Sequence, residues 1–223
     1  MSELAAHLRL LAWLSPAFPT GGFAYSHGLE WAVEAGDVRD AETLFAWVGD
    51  VVRHGSGWGD VIVLRHAHRA RGDVAVLAEL AAFSLACSPS RERRAEAVGQ
   101  GNAFAAAARA WDGVVLERLV AAVGDVPYAV AVGALAGVSG VDEDFAASGF
   151  LQAFASALIS AAVRLVPLGQ TTGLAVLARL EPCLLAAASA SRGVGLDAVG
   201  GCCFRSDIAA MRHETQYSRM FRS

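Results

Sequence analysis

Apolar residues recur along this chain at helical spacing. Leu44, Trp47, Val48, Val51 and Val52 fall at i, i+3, i+4, i+7 and i+8, and Leu116, Leu119, Val120 and Val123 repeat the pattern. Phe150, Phe154 and Leu158 mark a further face. Such stripes gather apolar side chains on one side of a helix. Strand-like alternation bounded by turn residues does not occur. The pattern predicts an all-α fold, a single-domain bundle of about ten helices. They are expected at 28–36, 40–54, 58–71, 74–86, 90–111, 113–123, 127–138, 142–166, 168–190 and 205–215. Asp40 is a natural N-cap for the second, with Glu42 in its first turn. Gly36, Gly72, Gly113 and Gly140 punctuate helix ends, and Pro89, Pro127 and Pro167 stand at starts or breaks.

No low-complexity linker and no internal repeat divides the chain, so one domain is expected over residues 1–223. It divides into an N-terminal arm and loop (1–27), a helical core (28–204) and a tail (205–223). Residues 14–22 hold two Pro and two Gly and predict an irregular loop. From Arg205 the chain turns polar and Arg-rich, which predicts a flexible tail that orders when a partner binds it.

Composition narrows the function. Hydrophobic residues make up 55% and charged residues 18%, an apolar excess that needs a large core, a partner interface or a membrane. The net charge of −4 argues against nucleic-acid binding, which needs many cationic groups against phosphates. All 18 cationic residues are Arg. Lysine chemistry, from Schiff bases to the phosphate-binding Lys of a P-loop, is therefore excluded. Cys87 and Cys183 sit within apolar helical patterns and read as small buried hydrophobes. Cys202 and Cys203 are adjacent, so their side chains diverge. Met1 to Leu11 lacks the basic, apolar and small-residue succession of a signal peptide, which predicts a cytoplasmic setting.

Several local patterns have a simpler explanation than the motif they approach. Phe145 to Val163 is uncharged and long enough to span a bilayer. Ser148, Gln152, Ser156 and Ser160 nevertheless give it one polar stripe, and Arg164 and Pro167 follow; a half-buried helix of a helical domain is expected. Gly169-Gln170-Thr171-Thr172-Gly173 lacks the Lys and the preceding strand of a phosphate loop. Gly193 to Ala198 matches a dinucleotide fingerprint but follows a helix. His213-Glu214-Thr215-Gln216-Tyr217 misses the second His of a zinc-protease helix. His66 and His68 are two apart and face different ways on a helix. No nucleophile has an evident base in the sequence.

Two segments are more specific. Leu14-Ser15-Pro16-Ala17-Phe18-Pro19-Thr20-Gly21-Gly22-Phe23-Ala24-Tyr25-Ser26-His27-Gly28-Leu29-Glu30 resembles the opening of the UreF family of urease accessory proteins. His213 to Ser223 resembles that family's ending. Arg164-Leu165-Val166-Pro167-Leu168-Gly169-Gln170 resembles its internal Pro-x-Gly-Gln segment, and Ser90 to Arg94 resembles its Ser-x-Glu-x-Arg stretch more loosely. Met220 stands where the family usually has Leu.

The resemblance implies an all-α protein that dimerises and catalyses nothing itself. It would join the accessory protein UreD (also called UreH) and the GTPase UreG, in a complex that delivers nickel to apo-urease. GTP would be bound by UreG, with no tightly bound cofactor on this chain and nickel at most in transit. The resemblance places partner-binding residues in the tail (His213, Glu214, Thr215, Gln216, Tyr217, Ser218, Arg219, Phe221 and Arg222), in the opening (Pro16, Pro19, Gly21, Tyr25, Ser26, Gly28 and Glu30) and at Gly169 and Gln170. Tyr217 and Phe221 are expected as anchors, and Arg219 and Arg222 as charge-assisted donors. The Ser148 to Ser160 stripe is a candidate passage for nickel. Two alternatives are a regulator of the UreG GTPase acting through an Arg, and a small membrane protein using 145–163 and 168–178 as a hairpin.

Overall fold

A computed structural model describes residues 2–111 and 113–223. Helix α1 spans Glu3–Trp13, α2 Leu29–Glu34, α3 Ala41–His54, α4 Ser56–Arg69, α5 Val74–Ala86 and α6 Arg91–Ala107. Then come α7 at Val114–Val123, α8 at Tyr128–Val138, α9 at Glu143–Leu165, α10 at Gln170–Ala190 and α11 at Phe204–His213. Each of the ten expected helices is present, and no strand occurs among the described residues. Helix α1 was not foreseen. Its apolar residues point two ways, Ala6, Leu10 and Trp13 inward and Leu4, Leu8 and Leu11 outward, so no single stripe announces it.

The caps are local chemistry. Asp40 Oδ1 accepts the Thr43 N–H at 2.8 Å, and the Thr43 hydroxyl returns to the Asp40 N–H at 3.0 Å. Asp142 does the same service for α9, accepting from the Phe145 N–H, and Ser90 for α6, accepting from the Arg93 N–H.

Helix α4 lies at the centre. Val63, Leu64 and Ala67 face a core shared with α8, α5, α6 and α7, while Val61 faces a second core built by α2, α3, α9 and α10. Helix α8 meets α4 backbone to backbone. A Cβ on Gly133 would stand 2.3 Å from the Leu64 carbonyl oxygen, and one on Gly137 2.2 Å from that of His68. Between the two cores Arg65, buried at 1% exposure, holds three helices together. It donates to Glu143 at 2.7 Å, Asp144 at 2.8 Å, Ser191 at 2.8 Å and the Ala188 carbonyl at 2.7 Å. A buried charge is tolerated only when its donors are matched in this way.

Helices α9 and α10 are long and apolar enough to cross a membrane, yet they pack on each other, and half of α9's apolar window is buried within the chain. Along the Ser148–Ser160 stripe of α9, Gln152 and Ser160 are exposed while Ser148 and Ser156 are half-buried.

Gly101 gives the fold its sharpest steric test: a Cβ there would lie 1.9 Å from the Val126 carbonyl oxygen, whereas one on Gly169 meets nothing within 4 Å. Gly101→Ala should cost about 2–3 kcal/mol in urea denaturation, and Gly169→Ala should leave the midpoint nearly unchanged.

Candidate partner-binding site

Three stretches far apart in sequence meet on one side of the molecule: the loop entering α2, the start of α6, and the chain after α11. The entry to α2 needs unusual backbone. His27 has φ 64° and Gly28 φ 77°, and a Cβ on Gly28 would stand 2.7 Å from the Ala210 nitrogen of α11. Only glycine allows that approach.

Beyond His213 the chain folds back as a strap across this junction. Glu30, on the first turn of α2, accepts the N–H groups of Met220 at 2.6 Å and Phe221 at 2.9 Å. His213 is fully buried with each ring nitrogen on a carboxylate: Nδ1 to Glu92 at 2.6 Å and Nε2 to Glu30 at 3.1 Å. The second oxygen of Glu92 accepts from Arg219 at 2.7 Å. The Ser26 N–H donates to the Ser223 carbonyl at 2.7 Å, and the Arg222 N–H to the Ala24 carbonyl at 2.8 Å. Glu214 accepts the Arg91 N–H at 2.9 Å, where a carboxylate also suits the positive end of α6. The Arg164 guanidinium lies between two rings, 3.8 Å from the Phe23 centroid and 4.2 Å from that of Phe221.

A second layer lies beneath the strap. Glu96 pairs with Arg93, accepts from the Ser223 hydroxyl at 2.6 Å and faces His27 Nδ1 at 3.4 Å. Burial would raise its pKa, but the charge of Arg93, reinforced by His27, holds it well below the usual carboxylate range. Burial, then Arg93, pushes His27 down to about 4, so its ring is neutral near pH 7. Asp60, on α4 beside Arg93, is pushed up to about 6 by burial; Arg93 opposes the shift and Glu96 adds to it.

The tail is therefore not the mobile segment its polarity predicted. Three of its ionisable side chains, His213, Glu214 and Arg219, find partners on α2 and α6, which removes the reason for the segment to stay in water. The expected site residues divide accordingly. His213, Gln216, Phe221, Ser26, Gly28 and Glu30 are buried in the clasp. Phe221, expected to anchor a partner, is already covered within the chain. Arg219 is engaged with Glu92. Tyr217 is fully exposed, and Thr215, Ser218 and Arg222 are exposed. Pro16, Pro19 and Gly21 lie on the exposed loop, pinned by buried Phe18, whose ring centroid is 5.2 Å from that of Phe104. Tyr25 rests its hydroxyl against Gly99. Gly169 and Gln170 are exposed at the start of α10 and take no part in the clasp. His27, Glu92, Glu96 and Arg164 were given no role, although all but Glu96 lie in the segments that carry the family resemblance. His66 and His68 bond to the carbonyls of Val194 at 2.9 Å and Val141 at 2.8 Å, as structural histidines do.

The described residues thus form an all-helical domain whose terminal segment is strapped over the paired carboxylates of Glu30 and Glu92. The comparisons with known proteins give this domain its family. The UreF family pattern matches residues 38–181. The chain is 51% identical to the urease accessory protein UreF of Bradyrhizobium sp. (strain ORS 278), covering 100% of this chain and 94% of that one. It is 50% identical to that of Mesorhizobium japonicum, over 98% and 96% of the two chains, and 49% to that of Rhizobium leguminosarum bv. viciae, over 99% and 98%. The chain belongs to the UreF family of urease accessory proteins.

Two outcomes test this geometry. Glu30→Ala removes the acceptor of two strap amides and one partner of His213; amide exchange at Met220 and Phe221 should accelerate by at least about tenfold while exchange in α4 and α8 is unchanged. Asp60 has a folded-state pKa above its ordinary 3.8, so its contribution favours folding at low pH and is lost as pH rises through about 6. With Arg93, Glu96 and Asp207 left in place, Asp60→Asn should raise the melting temperature at pH 8 and have little effect at pH 4.5.

Proposed function

We propose that this chain is a scaffold of urease maturation, with no catalytic part in that process: it dimerises, joins UreD/UreH to the GTPase UreG, and so supports GTP-dependent nickel insertion into apo-urease. The urease accessory proteins named above support the maturation role, with full-length similarity at about half identity. The observation that carries the scaffold reading is the surface beside the clasp. Phe204, Ile208 and Met211 stand at i, i+4 and i+7 on α11, all exposed, and the strap continues the apolar surface with Tyr217 and Met220. The opposite side of α11, with Ser206, Ala209, Ala210 and His213, is buried. A helix that buries small residues and shows large apolar ones to solvent fits a docking face. Leu4, Leu8 and Leu11 on α1 form a second outward stripe, which supports self-association.

The clasp sets the geometry of this face. The two oxygens of one carboxylate, Glu30, fix the strap backbone at Met220 and Phe221, so Tyr217 is offered from a preorganised turn, at a lower entropic cost than a free tail.

The test is complementation in a urease-positive cell lacking its own copy, with urease activity and nickel per urease as readouts. Wild type should restore both. The double change Tyr217→Ala with Met220→Ala should leave the helical circular dichroism unchanged, weaken recovery of UreD/UreH by at least about tenfold, and lower urease activity in step. Full recovery of the partner by the double variant would remove this face from the proposal. Failure of wild type with all partners expressed would remove the maturation role itself.

A further inference from the structure

Ser56 opens α4 and lines a cavity of about 190 Å³, whose walls include Asp60, Ser84, Arg93 and Asp207, with exposed Cys87 at its edge. The Ser56 hydroxyl hydrogen-bonds to Nε2 of His27. The other ring nitrogen, Nδ1, faces Glu96 at 3.4 Å. Hydroxyl, imidazole and carboxylate thus stand in series, the order in which a serine nucleophile, its base and the group orienting that base are arranged. His27 is 3% exposed and packs edge-on against Phe154, with ring centroids 5.1 Å apart, which fixes the ring plane. Glu96 is fixed in turn by Arg93 and the Ser223 hydroxyl.

Two further features fit a reacting carbonyl. Arg93 is buried at 8% exposure, lines the same cavity, and its Nε has no hydrogen-bond partner among the described residues. An unsatisfied buried donor calls for an acceptor. Ser56 is also the first residue of a 14-residue helix, where free N–H groups and the positive end of the helix dipole favour developing negative charge. None of these groups belongs to the exposed apolar face of α11 and the strap.

We infer that Ser56 is an acylatable nucleophile, with His27 as its base and Glu96 as a positioning residue, and that the cavity takes short-chain acyl esters. Ser56 Oγ attacks the ester carbonyl carbon and its proton passes to His27 Nε2. The tetrahedral oxyanion meets donors at the start of α4 and the Arg93 guanidinium. Collapse breaks the carbon–oxygen bond to the leaving alcohol, which takes the proton from His27. Water attacks the acyl-serine by the same route, returning the serine and releasing the acid, so atoms and charge balance without any further reactant. The neutral His27 ring is in the right state to accept a proton but is a weak base, so acylation is expected to be slow and to show as a stoichiometric burst rather than fast turnover.

The test uses the full-length protein, a fluorophosphonate probe and 4-nitrophenyl acetate. Wild type should be labelled at Ser56, located by peptide mass spectrometry, and should release about one equivalent of nitrophenolate in a burst. Ser56→Ala should lose both, while Ser160→Ala, at an exposed serine of α9 outside the cavity, should keep both. His27→Asn tolerates the left-handed backbone at this position and retains polar contacts without a base; with circular dichroism unchanged, it should slow labelling at least about tenfold. Absence of label on wild-type Ser56, label only at another residue, or undiminished labelling of His27→Asn would each overturn the inference. None of these readouts involves urease or its accessory partners, so the outcome is separate from that of the maturation role.

Discussion

Three carboxylates removed from water, those of Glu30, Glu92 and Glu96, set the terms for the rest of this molecule. An ionised carboxylate in a low-dielectric site is costly until donors surround it. Here the donors come from the far end of the chain: His213 and Arg219, the amides of Met220 and Phe221, and the Ser223 hydroxyl, with Arg93 beneath. Strap and body therefore need each other. Removing the strap strands buried charge, and removing a carboxylate leaves strap donors unmatched. This mutual dependence is what holds a polar segment, carrying several Arg, against an apolar protein.

The helical frame that brings these groups together rests on close backbone approach. Gly133 and Gly137 let α8 touch α4, Gly101 lets α6 reach the chain at Val126, and Gly28 brings α2 against α11. These positions fix the separations between helices, and thereby the distance from Glu30 to Glu92 that one imidazole must bridge. The Arg65 cluster does for α4, α9 and α10 what the clasp does for α2, α6 and α11.

Much of the fold was legible because helical periodicity is written in apolar residues. Stripes such as Leu44–Val52 forced one face inward, and Asp40 marked a helix start through a hydrogen bond that spans three residues. Helix α1 escaped because both its faces are apolar. The site was less legible. Charge in the tail was read as solvation, since sequence gives no sign that Glu30, 183 residues away, would sit against His213. Likewise Ser56, His27 and Glu96 are ordinary residues until the fold sets them in line. The family resemblance pointed to segments that meet in the clasp, but only the fold separates the residues that hold the strap, such as Phe221, from those it displays, such as Tyr217.

The strap also has a consequence in time. It joins residues up to 197 positions apart, Ser26 and Ser223 among them, so on the ribosome α2 and α6 emerge long before their counterions. Until α11 and the strap follow, the acids of both helices have to remain hydrated, and that corner of the domain cannot close. Final compaction is therefore tied to the synthesis of the last segment, and a prematurely terminated chain would be left open at Glu30, Glu92 and Glu96. Quality-control proteases that act on exposed, loosely packed segments would then find incomplete copies more readily than finished ones.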